Sequence, residues 1–181
     1  MRAATWIARA APVRFGIART TEDLEAVYRL RCQVVIAAGW ASARAFPDGF
    51  ERDADDARAV HVAGWDGERV VATARFVLSG DGRPLPTETD FDLALPDRAR
   101  LADVGRLCVA PCHRDRGHRV FRGVLAQIWC EMRQRGYEEA AMVVTGTVAR
   151  LYQRWGFGVS ILGPARAYWG ELRFPARVGV R

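Results

Sequence analysis

The chain has no lysine among its 181 residues. Arginine therefore carries almost all of the positive charge behind a net +6. An arginine excess of this kind is explained by a coding bias as well as by any function. A basic balance favours acidic partners: phosphorylated cofactors, acidic proteins or nucleic acid. The arginines are scattered, however, with no aromatic-interleaved stripe and no recognition-helix pattern, which argues against nucleic acid. Long apolar runs are also missing, so no segment reaches a transmembrane length. The N-terminal MRAATWIARAAPVRF is interrupted by arginines and makes a poor signal peptide, so the expectation is a cytoplasmic protein. Cysteine is sparse. Cys32, Cys108, Cys112 and Cys130 lie in or beside apolar runs, where buried free thiols are common, and do not form a disulfide framework. Cys108, Cys112 and His113 form a C-x-x-x-C-H cluster open to a metal or a nucleophile reading. It lacks a second ligand pair at zinc-finger spacing, so no metal is expected.

What is present is an ordinary globular composition, half apolar and about a quarter charged. Neither a repeat, a low-complexity segment nor an internal linker interrupts it. The expectation is one domain over residues 1–181, long enough for a single buried core. Val13 to Ala18 alternates like a strand, and Thr20 stands three residues before Asp23 as a helix start. Leu24, Val27, Tyr28, Leu30, Val34 and Val35 then recur at helical spacings. Residues 38–57 read as a long loop or short helical turns, a length often functional. A hairpin follows, AVHVAGW and RVVATARFVLS, turning at Asp66-Gly67. After a polar stretch come a strand from Asp103 to Ala110, a helix from about Arg119 to Arg135 that stops at Gly136, and the short strand AAMVV. The helix TVARLYQRW, ended by Gly156, precedes two closing strands, GVSIL and RAYWGELRF. The order is β-α-β-β-β-α-β-α-β-β.

The stretch from Asp103 to Leu125 is the most informative. An apolar strand breaks at Pro111, an arginine-rich loop with one glycine follows, and an amphipathic helix begins. Free backbone N–H groups at a helix start, the helix dipole and guanidinium groups together suit an anion of phosphate type. A solvated arginine-rich turn is the plainer alternative.

This order, with the loop and the segment Leu151-Tyr152-Gln153-Arg154-Trp155-Gly156-Phe157, resembles the GNAT superfamily of acyl-CoA-dependent N-acyltransferases. The superfamily's pyrophosphate loop is matched by Arg114-x-x-Gly117-x-Arg119, with arginine where a small residue is usual. The N-terminal half is similar to the acyl-homoserine-lactone synthases and the long-chain N-acyl amino acid synthases. That likeness rests on Tyr28-Arg29-Leu30-Arg31, Trp40, the pair Asp53 and Asp56, Arg75 in VVATARF, and Asp103-Val104-Gly105-Arg106-Leu107-Cys108-Val109. Aspartate stands for the family's strand glutamate, and Gly105 for its serine.

The resemblance implies an α/β (α+β) GNAT fold, a central mixed and mostly antiparallel sheet of about seven strands flanked by helices. It implies an enzyme moving an acyl group, fatty by the synthase likeness, from a phosphopantetheine thioester of acyl carrier protein or CoA to a primary amine. That amine belongs to an amino acid, a peptide or a natural product. A plain acetyl-CoA acetyltransferase and a non-catalytic acyl-CoA or carrier-protein binding module are the alternatives. Asp103, Arg106 and Tyr152 would be catalytic. Asp103 would take the amine proton, pair with Arg106 or Arg75, or do both. Tyr152 would protonate the departing thiolate, or fill the core. Arg31, Trp40, Asp53, Asp56 and Arg75 would shape the acceptor side. Cys108, Val109, Arg114, Arg116, Gly117, His118 and Arg119 would hold the donor. His61, at the start of a strand, could act as a base or simply be packed. Trp65, Phe76, Met142, Val144 and Trp169 are candidates to line an acyl tunnel. The chain is expected to be a monomer or, by pairing of its aromatic C-terminal strand, a homodimer.

Overall fold

The computed structural model describes residues 2–115 and 118–180. The elements are α1 (Arg2–Ala10), β1 (Arg14–Ile17), α2 (Thr21–Ala37), β2 (Ala59–Asp66), β3 (Arg69–Leu78), α3 (Pro86–Phe91), β4 (Leu101–Val109), α4 (Arg119–Gln134), β5 (Glu139–Val144), α5 (Gly146–Arg154), β6 (Phe157–Ile161), β7 (Arg166–Tyr168) and β8 (Glu171–Val180). Seven strands follow the order β1-β2-β3-β4-β5-β8-β6, and the three-residue β7 pairs with β8 beside that path. All pairings are antiparallel except β4 with β5.

Local chemistry explains most boundaries. The Thr20 hydroxyl accepts the Asp23 N–H at 3.1 Å and starts α2, and Thr145 does the same for Val148 at 3.2 Å on α5. Gly67 turns β2 into β3 at φ +58°. On α4, Val120, Val124 and Ile128 are buried, while Trp129 is only half-buried. Arg75 of β3 shares Asp56 with Arg31 of α2, whereas its neighbour Phe76 lies under Arg135 at the end of α4. Successive strand residues face opposite sides, so α2 and α4 cover opposite faces of the sheet. The Phe15 ring occupies the space a side chain would need at Gly123 and Gly64: a Cβ there would lie 2.3 and 2.6 Å from it.

Three elements differ from the sequence reading. The arginine-interrupted N-terminus is a helix, α1, packed on α4. The polar stretch before β4 contains α3, opened by Pro86 and by a Glu88 carboxylate accepting the Leu85 N–H at 2.7 Å. RAYWGELRF is a hairpin, β7 to β8, turning at Trp169 (φ +52°) and Gly170 (φ +71°). No helix among the described residues is long and apolar enough to cross a membrane.

Two features of β4 position the site. It pairs with β5 only from Leu101 to Asp103, opposite Glu139 to Ala141, and beyond Asp103 the strands diverge. It also carries a bulge against β3, where Thr73 faces Cys108 but Arg75 faces Gly105. Arg106, in the bulge, is left-handed at φ +53°, a costly conformation for a side chain with a Cβ.

Candidate active site

The divergence of β4 from β5 opens a cavity of about 520 Å³. Its walls come from β4, β5, α3, α5 and the β7–β8 hairpin. Beyond Asp103, the β4 peptide groups that face β5 have no strand partner among the described residues.

Asp103, the last β4 residue paired with β5, lines this cavity and is buried. Its Oδ2 accepts the Thr87 N–H at 2.8 Å, from the first turn of α3. Burial raises its carboxyl from the usual value near 3.8 to about 6, against the Thr87 bond and the charge of Arg75. The expected pairing of Asp103 with Arg75 or Arg106 is not what holds it, because carboxylates elsewhere engage both arginines.

Those carboxylates form one network. Arg31 bonds Asp56 with two nitrogens, at 2.8 and 3.1 Å, and bonds Glu51 through its Nε. Arg75 bonds Asp53, and Asp56 at 2.9 Å. Arg106 bonds Glu51 at 2.9 Å and Asp53 at 2.7 Å. Three guanidinium groups thus meet three carboxylates, the balance a mostly buried cluster requires. The D-x-x-D spacing has a local cause as well. Asp53 and Asp56 cap the short turn Ala54–Arg58 reciprocally, Asp53 N–H donating to Asp56 at 2.8 Å. Burial alone would raise Asp56, but Arg31, Arg75 and the Asp53 N–H hold it down at about 2. Glu51 was not anticipated, although three arginines with two acids left one charge unbalanced. The network also braces the strained Arg106, whose guanidinium lies 5.3 Å from the Trp169 ring.

The outer wall is made by residues distant in sequence. Arg173 stacks on Trp40 at 4.5 Å and bonds Glu171 at 3.0 Å, while its Nε is buried without a hydrogen-bond partner among the described residues. The Tyr168 hydroxyl donates to Asp90 at 2.7 Å and ties the hairpin to α3. Tyr152 of α5 reaches the cavity from the other side, packed among Phe121, Trp155 and Phe157. Burial drives its phenol upward, so it stays protonated. Val104, Met142 and Tyr152 also border a small apolar cavity of about 40 Å³ behind the main one.

The arginine-rich loop is partly self-engaged. Cys108 lines the cavity as a thiol, pushed up to about 12 by burial. Val109 is buried, and its carbonyl accepts from Arg114 at 2.9 Å, so Arg114 turns back on the strand. Asp115 accepts the Arg119 N–H at 2.8 Å and also binds the Arg119 guanidinium, where an incoming anion was expected. His118 is left-handed at φ +51° and packs against Phe121 and Trp155. Arg116 and Gly117 lie outside the described residues.

Residues 26–177 match the family model for the N-acyl amino acid synthase FeeM. The chain belongs to the N-acyl amino acid synthase FeeM family. It is therefore an acyltransferase, one that moves an acyl group onto an amine. Solved structures give the same fold. The acyl-homoserine-lactone synthase LasI superposes with a TM-score of 0.78 at 17% identity, covering 95% of this chain and 92% of that one. BjaI, a CoA-dependent acyl-homoserine lactone synthase solved with SAM and isopentyl-CoA, gives 0.76 at 20% identity, covering 95% and 84%. FeeM itself, an N-acyl amino acid synthase from uncultured soil microbes, gives 0.68 at 15%, covering 94% and 92%. Curated protein sequences yielded no match.

Most of the expected site of this family member converges on the cavity. Asp103, Arg106, Tyr152, Trp40, Arg75 and Cys108 line it, and Arg31, Asp53 and Asp56 stand behind as the charge network. His61 does not line it. It is buried against Tyr28, with Nε2 3.3 Å from the Asp56 carbonyl, and burial lowers its pKa. Of the tunnel candidates, Met142, Val144 and Trp169 line the cavity. Phe76 is buried in the core, and Trp65 lies under Arg14 at 4.3 Å, at the β1–β2 end of the sheet. Thr87, Tyr168 and Arg173 escaped the sequence reading, since no local pattern links them to β4.

Proposed function

We propose that this protein acylates the α-amine of an amino acid, taking a fatty acyl group from a phosphopantetheine thioester of the kind CoA and acyl carrier protein share. The observation that carries the reading is a buried, proton-accepting Asp103 and a buried, protonated Tyr152 lining one cleft between diverging strands. At neutral pH Asp103 is ionised and takes a proton from the attacking amine. The amine adds to the thioester carbonyl, and the unpaired β4 peptide groups are the available donors for the developing oxyanion. As the C–S bond breaks, Tyr152 protonates the departing thiolate. Arg173, with its unpartnered Nε, complements the acceptor's carboxylate. Arg106 shapes the site through the network and takes no proton itself. The apolar space behind Val104, Met142 and Tyr152 suits the end of an acyl chain. BjaI's complex with isopentyl-CoA supports a thioester donor in this fold. Such a donor is a cytoplasmic supply, where we place the reaction.

The experiment is mass spectrometry of products after incubating the protein with acyl-CoA and acyl-carrier-protein panels and a mixture of the common amino acids. An N-acyl amino acid is expected, absent with Asp103→Asn. A folded protein that consumes no thioester from either panel refutes the reading.

A further inference from the structure

Outside the cavity, one cluster of nucleophile, base and acid is assembled that acyl transfer does not use. Cys112 Sγ lies 3.1 Å from Nδ1 of His113, and His113 Nε2 lies 3.0 Å from an Asp66 carboxylate oxygen. The three residues come from two elements. Cys112 and His113 belong to the turn Pro111–His113 that follows β4, and Asp66 ends β2 at the β2–β3 hairpin. Backbone bonds hold the turn in place, Ala110 N–H to Val71 at 2.8 Å and His113 N–H to Ala110 at 2.9 Å.

The order of contacts sets the chemistry. Asp66 accepts a proton only from Nε2, so the Nδ1 lone pair faces the thiol. A base within reach of a thiol, itself oriented by a carboxylate, is placed to take the thiol's proton as the sulfur attacks. Cys112 is also the exposed cysteine of the four; Cys32, Cys108 and Cys130 are buried.

We propose that Cys112 is an activated thiol that undergoes thiol–disulfide exchange with low-molecular-weight disulfides, and that the adduct obstructs the donor loop. The Cys112 proton passes to His113 Nδ1. The thiolate attacks one sulfur of the disulfide, a new S–S bond forms, the old one breaks, and the leaving thiolate takes the proton back from His113. The adduct stands in the connection from β4 to α4, two residues before Arg114 and three before Asp115, which engages the α4 start. The obstruction, unlike the exchange, rests on the donor binding proposed above.

The reduced full-length protein is mixed with oxidised glutathione at pH 7 and followed by intact mass and peptide mapping. One glutathione per chain is expected, on Cys112. His113→Gln should slow its formation at least about tenfold, and Asp66→Asn less, with Cys112 still exposed. Cys112→Ser should form no adduct and keep full acyl transfer. Glutathionylation should raise the KM for the thioester donor in the unsubstituted protein and leave the Cys112→Ser protein unaffected. Equal rates for the unsubstituted and His113→Gln proteins, or adducts spread over other cysteines, overturn the activated thiol. An adduct on Cys112 that leaves the donor KM unchanged overturns the obstruction. Because mass alone decides the exchange, a protein inactive in acyl transfer would still answer the first question.

Discussion

Replacing Asp103 by asparagine should stabilise the protein while abolishing its activity. Asp103 is buried in a cavity wall, and burial raises its carboxyl from near 3.8 to about 6. Keeping it ionised at neutral pH therefore works against the fold by a little over two decades of proton affinity, about 3 kcal/mol. Asparagine keeps an oxygen for the Thr87 N–H and carries no charge. It should recover about 1–3 kcal/mol, or roughly 3–10 °C in Tm for a chain of this size. The pH dependence fixes the cause. Below about pH 4 the carboxyl is protonated in both folded and unfolded states, so variant and parent should match. Between pH 4 and 6 the folded state still holds a proton that the unfolded chain has lost, and the parent loses stability as pH rises. Above pH 6 the gap should be constant. Thermal unfolding of both proteins from pH 3.5 to 8, with product formation measured in parallel, tests this. The parent's kcat/KM should show an acid limb near pH 6, and the variant should lose about 100-fold or more. A variant less stable at pH 7.5, or a Tm difference that does not change with pH, would refute the reasoning.

Tyr152→Phe should fold normally and lose about 100-fold in kcat with little change in donor KM; a thioester of a more acidic thiol, which leaves without help, should recover much of that loss. Asp56 behaves oppositely to Asp103. Its carboxyl is held at about 2, so it contributes stability above pH 4, about 2 kcal/mol, that is lost as pH falls toward 2. Asp56→Asn leaves Arg31 and Arg75 undercompensated and should cost roughly 3–5 kcal/mol in urea unfolding at pH 7, with the gap narrowing in acid.

Much of the fold was legible because its signals are local. The Thr20 cap, the Asp66-Gly67 turn, the apolar spacing of α2 and α4 and the Gly156 stop each act within a few residues. α3 was missed because six residues with Pro86 at the start carry too little periodicity to stand out from a polar loop. The β7–β8 hairpin was missed because Trp169 adopts a left-handed conformation that neighbouring glycine alone does not announce. In the site, Asp103, Tyr152, Arg31 and Asp56 could be named through the family resemblance, but Glu51 needed the charge count of the assembled cluster. The anion loop was readable as an arginine-rich turn. That Arg114 and Arg119 are already engaged, by Val109 and Asp115, was not.

By itself the sequence determined the kind of protein: an arginine-only basic chain, with strands and helices in the acyltransferase order and the acids and arginines of a synthase. Periodicity, caps and turns act over a few bonds, so they can be read along a line. Only the tertiary structure decided which of those residues meet and how each is buried and charged. The separation of β4 from β5 makes the cleft, α3 helps to bury Asp103, whose carboxyl burial raises to about 6, and charge balance draws Glu51 into the network. Burial and electrostatics sum over neighbours brought from across the chain, and no stretch of sequence contains that sum.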